Sequence, residues 1–73
     1  MINVMKRYEL MINGYKAVVT FDAELAMFRG EFSGLNGGAD FYAVSESDLP
    51  EEGRRSLDVF LEKCREKGIS PRR

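Results

Sequence analysis

Six carboxylates in the middle of the chain are the first residues that could do chemistry. Paired carboxylates can hold a divalent metal ion or act together as general acid and base. Asp22 and Glu24 fall at a predicted turn, where acidic residues are ordinary, and Glu31 and Asp40 are expected to face each other across adjacent strands. We interpret all six as solvated charges and predict no metal site: Asp22, Glu24, Glu31, Asp40, Glu46 and Asp48.

Nucleophilic and phosphate-binding chemistry find little support in the sequence. The chain has no histidine, the commonest base that activates a serine or cysteine nucleophile. Its single cysteine, Cys64, recurs with apolar residues at helical spacing, which predicts a buried thiol. The glycine-rich stretch 35–38 precedes a strand pattern and not a helix, so it indicates a hairpin turn and not a phosphate-binding loop. We predict a protein that is not an enzyme and binds no cofactor.

Composition limits the partners. The 73 residues allow one domain, and 11 basic against 12 acidic residues give a net charge of −1, unlike chains that bind nucleic acid through phosphates. The basic cluster 71–73 is expected to be a frayed tail, and the tyrosines lack the basic groove of a base-stacking surface. No apolar run or leader pattern indicates a membrane span or a signal peptide. We expect a soluble cytoplasmic protein that has a protein partner or forms a homo-oligomer, because so small a core is marginal.

Alternating apolar and polar residues predict the strands. The alternation covers 15–21, 27–34 and 39–44, and a weaker one covers 8–12. Asn13-Gly14 is a strong turn dipeptide. For residues 1–13 we favour strand over helix, and the dipeptide leaves two arrangements open, a tight hairpin between 8–12 and 15–21 or a bulge within one long strand.

A helix is predicted over about 48–67. Ser47 is the expected N-cap because it places Pro50 in the first turn, where its missing N–H costs nothing. Gly68 is a natural stop, and acidic residues near the start and basic ones near the end suit the helix dipole. Gly53 interrupts the apolar stripe of this helix, and Gly30 and Gly34 are expected to leave room for it on the sheet.

These elements predict an α+β domain, a three- or four-stranded mainly antiparallel sheet in β-β-β-α order with one C-terminal helix on its apolar face. One helix covers only one face of the sheet. The other face is either an ordinary solvated surface or a surface for a protein partner. If it binds a partner, the residues expected to carry the contact are Lys16, Val18, Arg29 and Tyr42.

The hairpin and helix together resemble the N-terminal domain of the HicB antitoxin family. The resemblance covers Gly14 to about Pro71 and depends on the order and spacing of short pieces. These are Gly14-Tyr15-x-Ala17-x-Val19-x-Phe21-Asp22, Phe28-x-Gly30-x-Phe32-x-Gly34-Leu35, Phe41, Ser45, and Ser56-Leu57-Asp58-x-Phe60-Leu61-Glu62-x-Cys64.

The resemblance implies a single domain over 1–73 with a degraded, partial RNase H-like fold that lacks the catalytic carboxylates. It implies a non-catalytic antitoxin that neutralises a small basic mRNA-cleaving toxin of HicA type by masking its active site. The DNA-binding segment found at the C-terminus of many family members is not present in this chain, so no DNA binding is expected. The alternatives are a self-associating structural or regulatory module without a toxin, and a residual nuclease on the RNase H-like frame.

Overall fold

A computed structural model describes residues 7–73 as a four-stranded antiparallel sheet whose strand order follows the chain order, with one helix after it. The predicted α+β class and the arrangement of strands and helix are confirmed. The part of the predicted domain before residue 7 lies outside the described residues. The elements are β1 (Arg7–Ile12), β2 (Tyr15–Asp22), β3 (Met27–Phe32), β4 (Asp40–Ala43), a 3-10 turn (Glu46–Asp48) and α1 (Leu49–Lys67).

A two-residue turn joins β1 to β2, so the hairpin alternative is correct and the long bulged strand is wrong. Asn13 and Gly14 both have positive φ, 50° and 83°. This is the conformation of a type I′ turn, whose twist matches that of the flanking strands. Ile12 and Tyr15 then face each other as the first pair of the hairpin.

The connection from β3 to β4 is longer than the predicted turn at 35–38, and β3 ends at Phe32, not at residue 34. Gly34 turns the chain out of the strand with a φ of 76°. Leu35, only 1% exposed, then inserts into the core. The main-chain N–H of Phe32 donates to the Ala39 carbonyl at 3.1 Å and closes the connection. The stretch is therefore a core-inserting loop.

A ring packed between two glycines joins the sheet to the helix. A Cβ on Gly30 would lie 2.1 Å from Cζ of Phe41, and a Cβ on Gly53 would lie 2.2 Å from Cδ1 of Ile12 and 3.0 Å from the same Cζ. Gly30 therefore leaves room for the Phe41 ring, and Gly53 lets the helix approach that ring and β1. The expectation for Gly34 is wrong, because nothing lies within 4 Å of a Cβ there.

The helix ends as predicted but begins differently. Gly68 has a φ of 68° and stops α1 in the left-handed conformation, and Pro50 lies in the first turn. Ser47 is not the N-cap: the Ser45 hydroxyl accepts from the Ser47 N–H at 3.3 Å and caps the 3-10 turn. Asp48 takes the N-cap position of α1 without a side-chain hydrogen bond. The extra 3-10 turn separates the best capping side chain from the helix.

The last residues, 70–73, form an extended C-terminal segment along the loop after β3. Asn36 N–H donates to the Pro71 carbonyl at 2.8 Å, and Arg73 N–H donates to the Gly34 carbonyl at 3.2 Å. The Arg73 Nε donates to the Leu35 carbonyl at 2.9 Å. These bonds contradict the expectation of a frayed tail.

Arg72 fixes the same segment to the first hairpin. Its guanidinium carbon lies 3.9 Å from the centroid of the Tyr15 ring. Its Nη2 donates to the Gly14 carbonyl at 2.8 Å. A cation over an aromatic face is attracted by the ring quadrupole. The C-terminal segment is therefore packed against both the β1–β2 turn and the loop after β3.

Candidate protein-binding surface

The face of the sheet opposite α1, called here the open face, carries mixed charged and apolar side chains. Strand alternation places the buried residues of the sheet, such as Ala17, Val19 and Phe41, on the helix side. None of the residues on the open face is buried. The open face consists of Arg7, Glu9, Met11, Lys16, Val18, Thr20, Asp22, Met27, Arg29, Glu31, Asp40 and Tyr42.

Arg29 lies at the centre of this face between two carboxylates. Its Nη2 is 2.8 Å from Oδ2 of Asp40 and 3.4 Å from Oε2 of Glu31. The hydrogen bond to Asp40, and then the negative charge of Glu31, raise the pKa of the Arg29 guanidinium above its ordinary value. The Nε of Arg29 is shielded from solvent and donates to no group within the described part of the chain. The cluster therefore holds a fixed cation with one carboxylate in excess.

The structure brings three of the four predicted contact residues together. Arg29 on β3 lies directly opposite Tyr42 on β4, and Val18 on β2 faces Glu31, two residues further along β3. Tyr42 is 39% exposed. Lys16 shares the face but lies at the hairpin end of β2, where its Nζ is 3.7 Å from a carboxylate oxygen of Glu9.

The two carboxylates that were predicted to face each other do so. Glu31 and Asp40 are register partners on β3 and β4, and both bind Arg29. Asp22 instead organises the β2–β3 turn, since its Oδ1 accepts the N–H groups of Glu24 at 3.0 Å and Leu25 at 3.2 Å. Within residues 7–73 no three His, Cys, Asp or Glu side chains are grouped as metal ligands.

A depression of about 420 Å³ lies on the open face beside the Arg29 cluster. Its lining includes Val18 and Arg29 of the sheet, Gly37 and Gly38 of the loop after β3, and Arg73 of the C-terminal segment. Most of its lining is polar or charged, whereas pockets for small ligands are mostly apolar. A polar lining of this kind suits contact with a protein surface better than binding of an apolar cofactor.

Sequence reasoning missed two arginines of this depression. Arg7 was not assigned a role because the structure of residues 1–13 was left open. Arg73 reaches the site only because the C-terminal segment packs on the loop after β3, a contact between residues 38 positions apart. No local pattern in the sequence could have signalled that contact.

Two other predictions concern residues away from the open face. Cys64 is buried, at 4% exposure, as its place on the apolar stripe of the helix predicted. In the part of the chain that the structure describes, no helix combines the length and the apolar character that crossing a membrane requires.

The chain was compared with protein-family models, with curated proteins and with solved structures, and none of them matches it. The resemblance to HicB antitoxins therefore stays a prediction from the sequence. The chemistry of the open face is the basis on which a function is proposed.

Proposed function

We propose that this domain is a non-catalytic, antitoxin-like protein-binding module of the cytoplasm. Its partner is a small basic ribonuclease toxin of HicA type, and the open face covers the toxin's active site. The observation that carries the proposal is the neighbouring pair Arg29 and Tyr42 on a sheet face that no described residue covers.

The residue types at this position support a protein partner. Arginine and tyrosine are enriched in protein interfaces and among the residues that contribute most of the binding energy. The ion pairs of Arg29 hold its guanidinium in place before binding, so little side-chain entropy remains to be lost there. Val18 adds a half-buried apolar contact to the same patch.

The charge of the Arg29 cluster supports a basic partner at that point of the face. The cluster of Arg29, Glu31 and Asp40 has a net charge of −1, because two carboxylates share one cation, whereas Arg7 and Arg73 line the depression beside it. A small excess of negative charge attracts a basic protein during encounter and disfavours an acidic one. Covering an active site needs only a complementary surface, so the antitoxin role requires no catalytic group from this chain.

The first experiment isolates the partner and tests it for function. The tagged full chain is purified from its native cells, and the proteins that come with it are identified by mass spectrometry. The proposal expects a small basic protein with an essential histidine that cleaves RNA alone and stops cleaving when the chain is added in equal amount. A recovered partner without RNA-cleaving activity, or one that still cleaves RNA in the complex, would overturn the proposal.

A pair of charge reversals then locates the surface. Arg29→Glu removes the arginine that we propose contacts the partner, together with its ion pairs to Glu31 and Asp40. We expect this loss to outweigh the added negative charge and to weaken the complex at least about tenfold in calorimetry. Arg55→Glu is the matched control, because Arg55 is an exposed arginine of α1 with carboxylate partners of its own. Circular dichroism checks that both variants are folded. Equal affinities for the two variants would exclude the open face as the binding surface.

A further inference from the structure

Among the described residues, the outer edge of β1 is the less covered edge of the sheet. Within residues 7–73 the sheet begins with β1, so no described strand pairs with that side of it. The opposite edge strand, β4, has only four residues, and Ser56 of α1 donates its hydroxyl to the Asp40 carbonyl at 2.9 Å. Short strands and covered carbonyls protect an edge from pairing. β1 has six residues and no such cover from the described helix.

The register of the first hairpin decides which main-chain groups point to this edge. In a two-residue hairpin the residues that flank the turn, here Ile12 and Tyr15, form a hydrogen-bonded pair, and such pairs alternate along the ladder. Residues 8, 10 and 12 therefore point their N–H and C=O groups at β2. The Ser33 N–H donates to the Lys16 carbonyl at 3.0 Å, as this alternation requires. Residues 7, 9 and 11 point theirs outward.

The side chains beside these outward groups alternate in charge. Arg7 and Glu9 lie on the open face, two residues apart, on the strand whose outer side has no partner strand among residues 7–73. Glu9 is 63% exposed, and its contact with Lys16 at 3.7 Å is a loose one. An antiparallel copy of the same strand can therefore place opposite charges against each other at two symmetric positions.

We propose that β1 is a self-association strand through which two copies of this chain form one continuous sheet around a two-fold axis. In the register that we propose, Arg7 lies opposite Glu9 of the second copy, and Glu9 lies opposite Arg7 of the second copy. Each of these two positions exchanges a pair of main-chain hydrogen bonds. Tyr8 lies opposite its own copy on the helix side, at the shorter separation of a non-hydrogen-bonded pair.

Charge selects this register over its neighbour. A shift by two residues would place Glu9 opposite Glu9 of the second copy, and like charges in direct cross-strand contact are destabilising. A shift by one residue would set the outward N–H and C=O groups of one strand opposite residues whose own groups point to β2, so the ladder could not form, and it would pair residues of opposite faces. The alternation of Arg7 and Glu9 thus makes β1 complementary to an antiparallel copy of itself, and a second copy is the occupant that we propose.

The test measures the molecular weight of the full chain by analytical ultracentrifugation from about 1 µM to about 1 mM, the range of weak specific affinities. We expect a monomer–dimer equilibrium. Glu9→Arg, which sets like charges against each other twice in the dimer, should raise the dissociation constant on the order of tenfold. The charge-swapped double variant Arg7→Glu/Glu9→Arg should restore dimerisation. A monomer throughout, or a dimer that the single reversal leaves unchanged, would overturn the proposal.

Cysteine crosslinking tests the register. Tyr8→Cys places two thiols across the two-fold axis at a separation compatible with a disulfide, whereas Glu9→Cys pairs with itself only in the shifted register. The buried Cys64 of the unaltered chain provides the background. We expect the Tyr8→Cys variant to form covalent dimers on mild oxidation and the Glu9→Cys variant to form few. The reverse order would overturn the proposed register.

This inference does not depend on the proposed antitoxin role, because dimerisation is measured on the isolated chain without a toxin. Arg29 lies on β3, two strands away from β1, so Arg29→Glu should weaken a toxin complex and leave the monomer–dimer equilibrium unchanged. A chain that dimerises but inhibits no ribonuclease would refute the antitoxin role alone, and a chain that inhibits a ribonuclease but stays monomeric would refute the β1 proposal alone.

Discussion

Gly30→Ala tests the close packing of helix on sheet. The added methyl would meet three ring atoms of Phe41 at 2.1, 2.4 and 2.6 Å, whereas ordinary contact begins at 3.4 Å. The ring tip would have to retreat by about 1.3 Å, the difference between 3.4 and 2.1 Å. Phe41 is 4% exposed and is held from the other side by the helix at Gly53, so the ring has no free space to enter.

The magnitude follows from two opposing effects. Inserting a methyl into a packed core costs about 1 to 3 kcal/mol, and the enclosed ring places Gly30→Ala at the upper end, about 3 kcal/mol. Replacing a strand glycine by alanine recovers about 1 kcal/mol of backbone entropy. We expect Gly30→Ala to lower the free energy of unfolding by about 2 kcal/mol, which lowers Tm by about 8 to 16 °C for a domain of this size.

Urea unfolding followed by circular dichroism measures this loss, and two variants test its cause. Gly38→Ala is the control, because nothing lies within 4 Å of a Cβ added at this position. The free energy of unfolding of this variant should differ from that of the unaltered chain by less than about 0.5 kcal/mol. Adding Phe41→Leu to Gly30→Ala removes the overlapping ring tip, so the double variant should be at least about 1 kcal/mol more stable than additivity predicts. A Gly30→Ala protein as stable as the unaltered one, or strict additivity, would refute the reasoning.

Three more changes test the turn, the alkaline stability and the C-terminal segment by the same urea assay. Ala26 has a φ of 54°, so Ala26→Gly should stabilise the domain by about 0.5 kcal/mol after the larger unfolded-state entropy of glycine is subtracted, and a loss would contradict this. Burial, and then the hydrogen bond to Glu46, raise the pKa of Tyr8 above 10.0. The stabilisation that the neutral Tyr8 side chain gives is therefore fully present below the pKa of an unfolded tyrosine and is lost as the pH rises through the folded-state pKa. Tyr8→Phe should therefore lose less of its free energy of unfolding at alkaline pH than the unaltered chain does. Arg72→Ala should cost about 1 to 2 kcal/mol through the lost ring contact and hydrogen bond, and less in a Tyr15→Leu background; an equal cost in both would remove the ring contact from the explanation.

The elements that sequence could predict are those whose causes lie within a few residues. Asn13-Gly14 determines a turn by its own backbone preferences, and Pro50 and Gly68 limit a helix in the same way. The open face could be assigned because the strand period is exactly two, so Val18 and Arg29 were placed on one side before their partners were known.

What could not be predicted depends on distant contacts. Leu35 looked like part of a turn, because its glycine neighbours give a turn signal and its burial depends on residues far along the chain. The docking of Arg72 and Arg73 involves partners 58 and 38 residues away. Ser47 was predicted as the N-cap because it places Pro50 in the first turn, and the 3-10 turn that Ser45 caps leaves no mark that a capping rule can use.

The order of the strands in the sheet has a consequence for how the chain folds. Each strand pairs with the next one along the chain, so the whole sheet can form by closing three successive hairpins, events that take on the order of microseconds. Local pairing of this kind predicts rapid folding with a structured sheet in the transition state. The C-terminal segment cannot dock before the sheet and the loop after β3 exist. Changes at Arg72 should therefore accelerate unfolding and leave the folding rate unaltered.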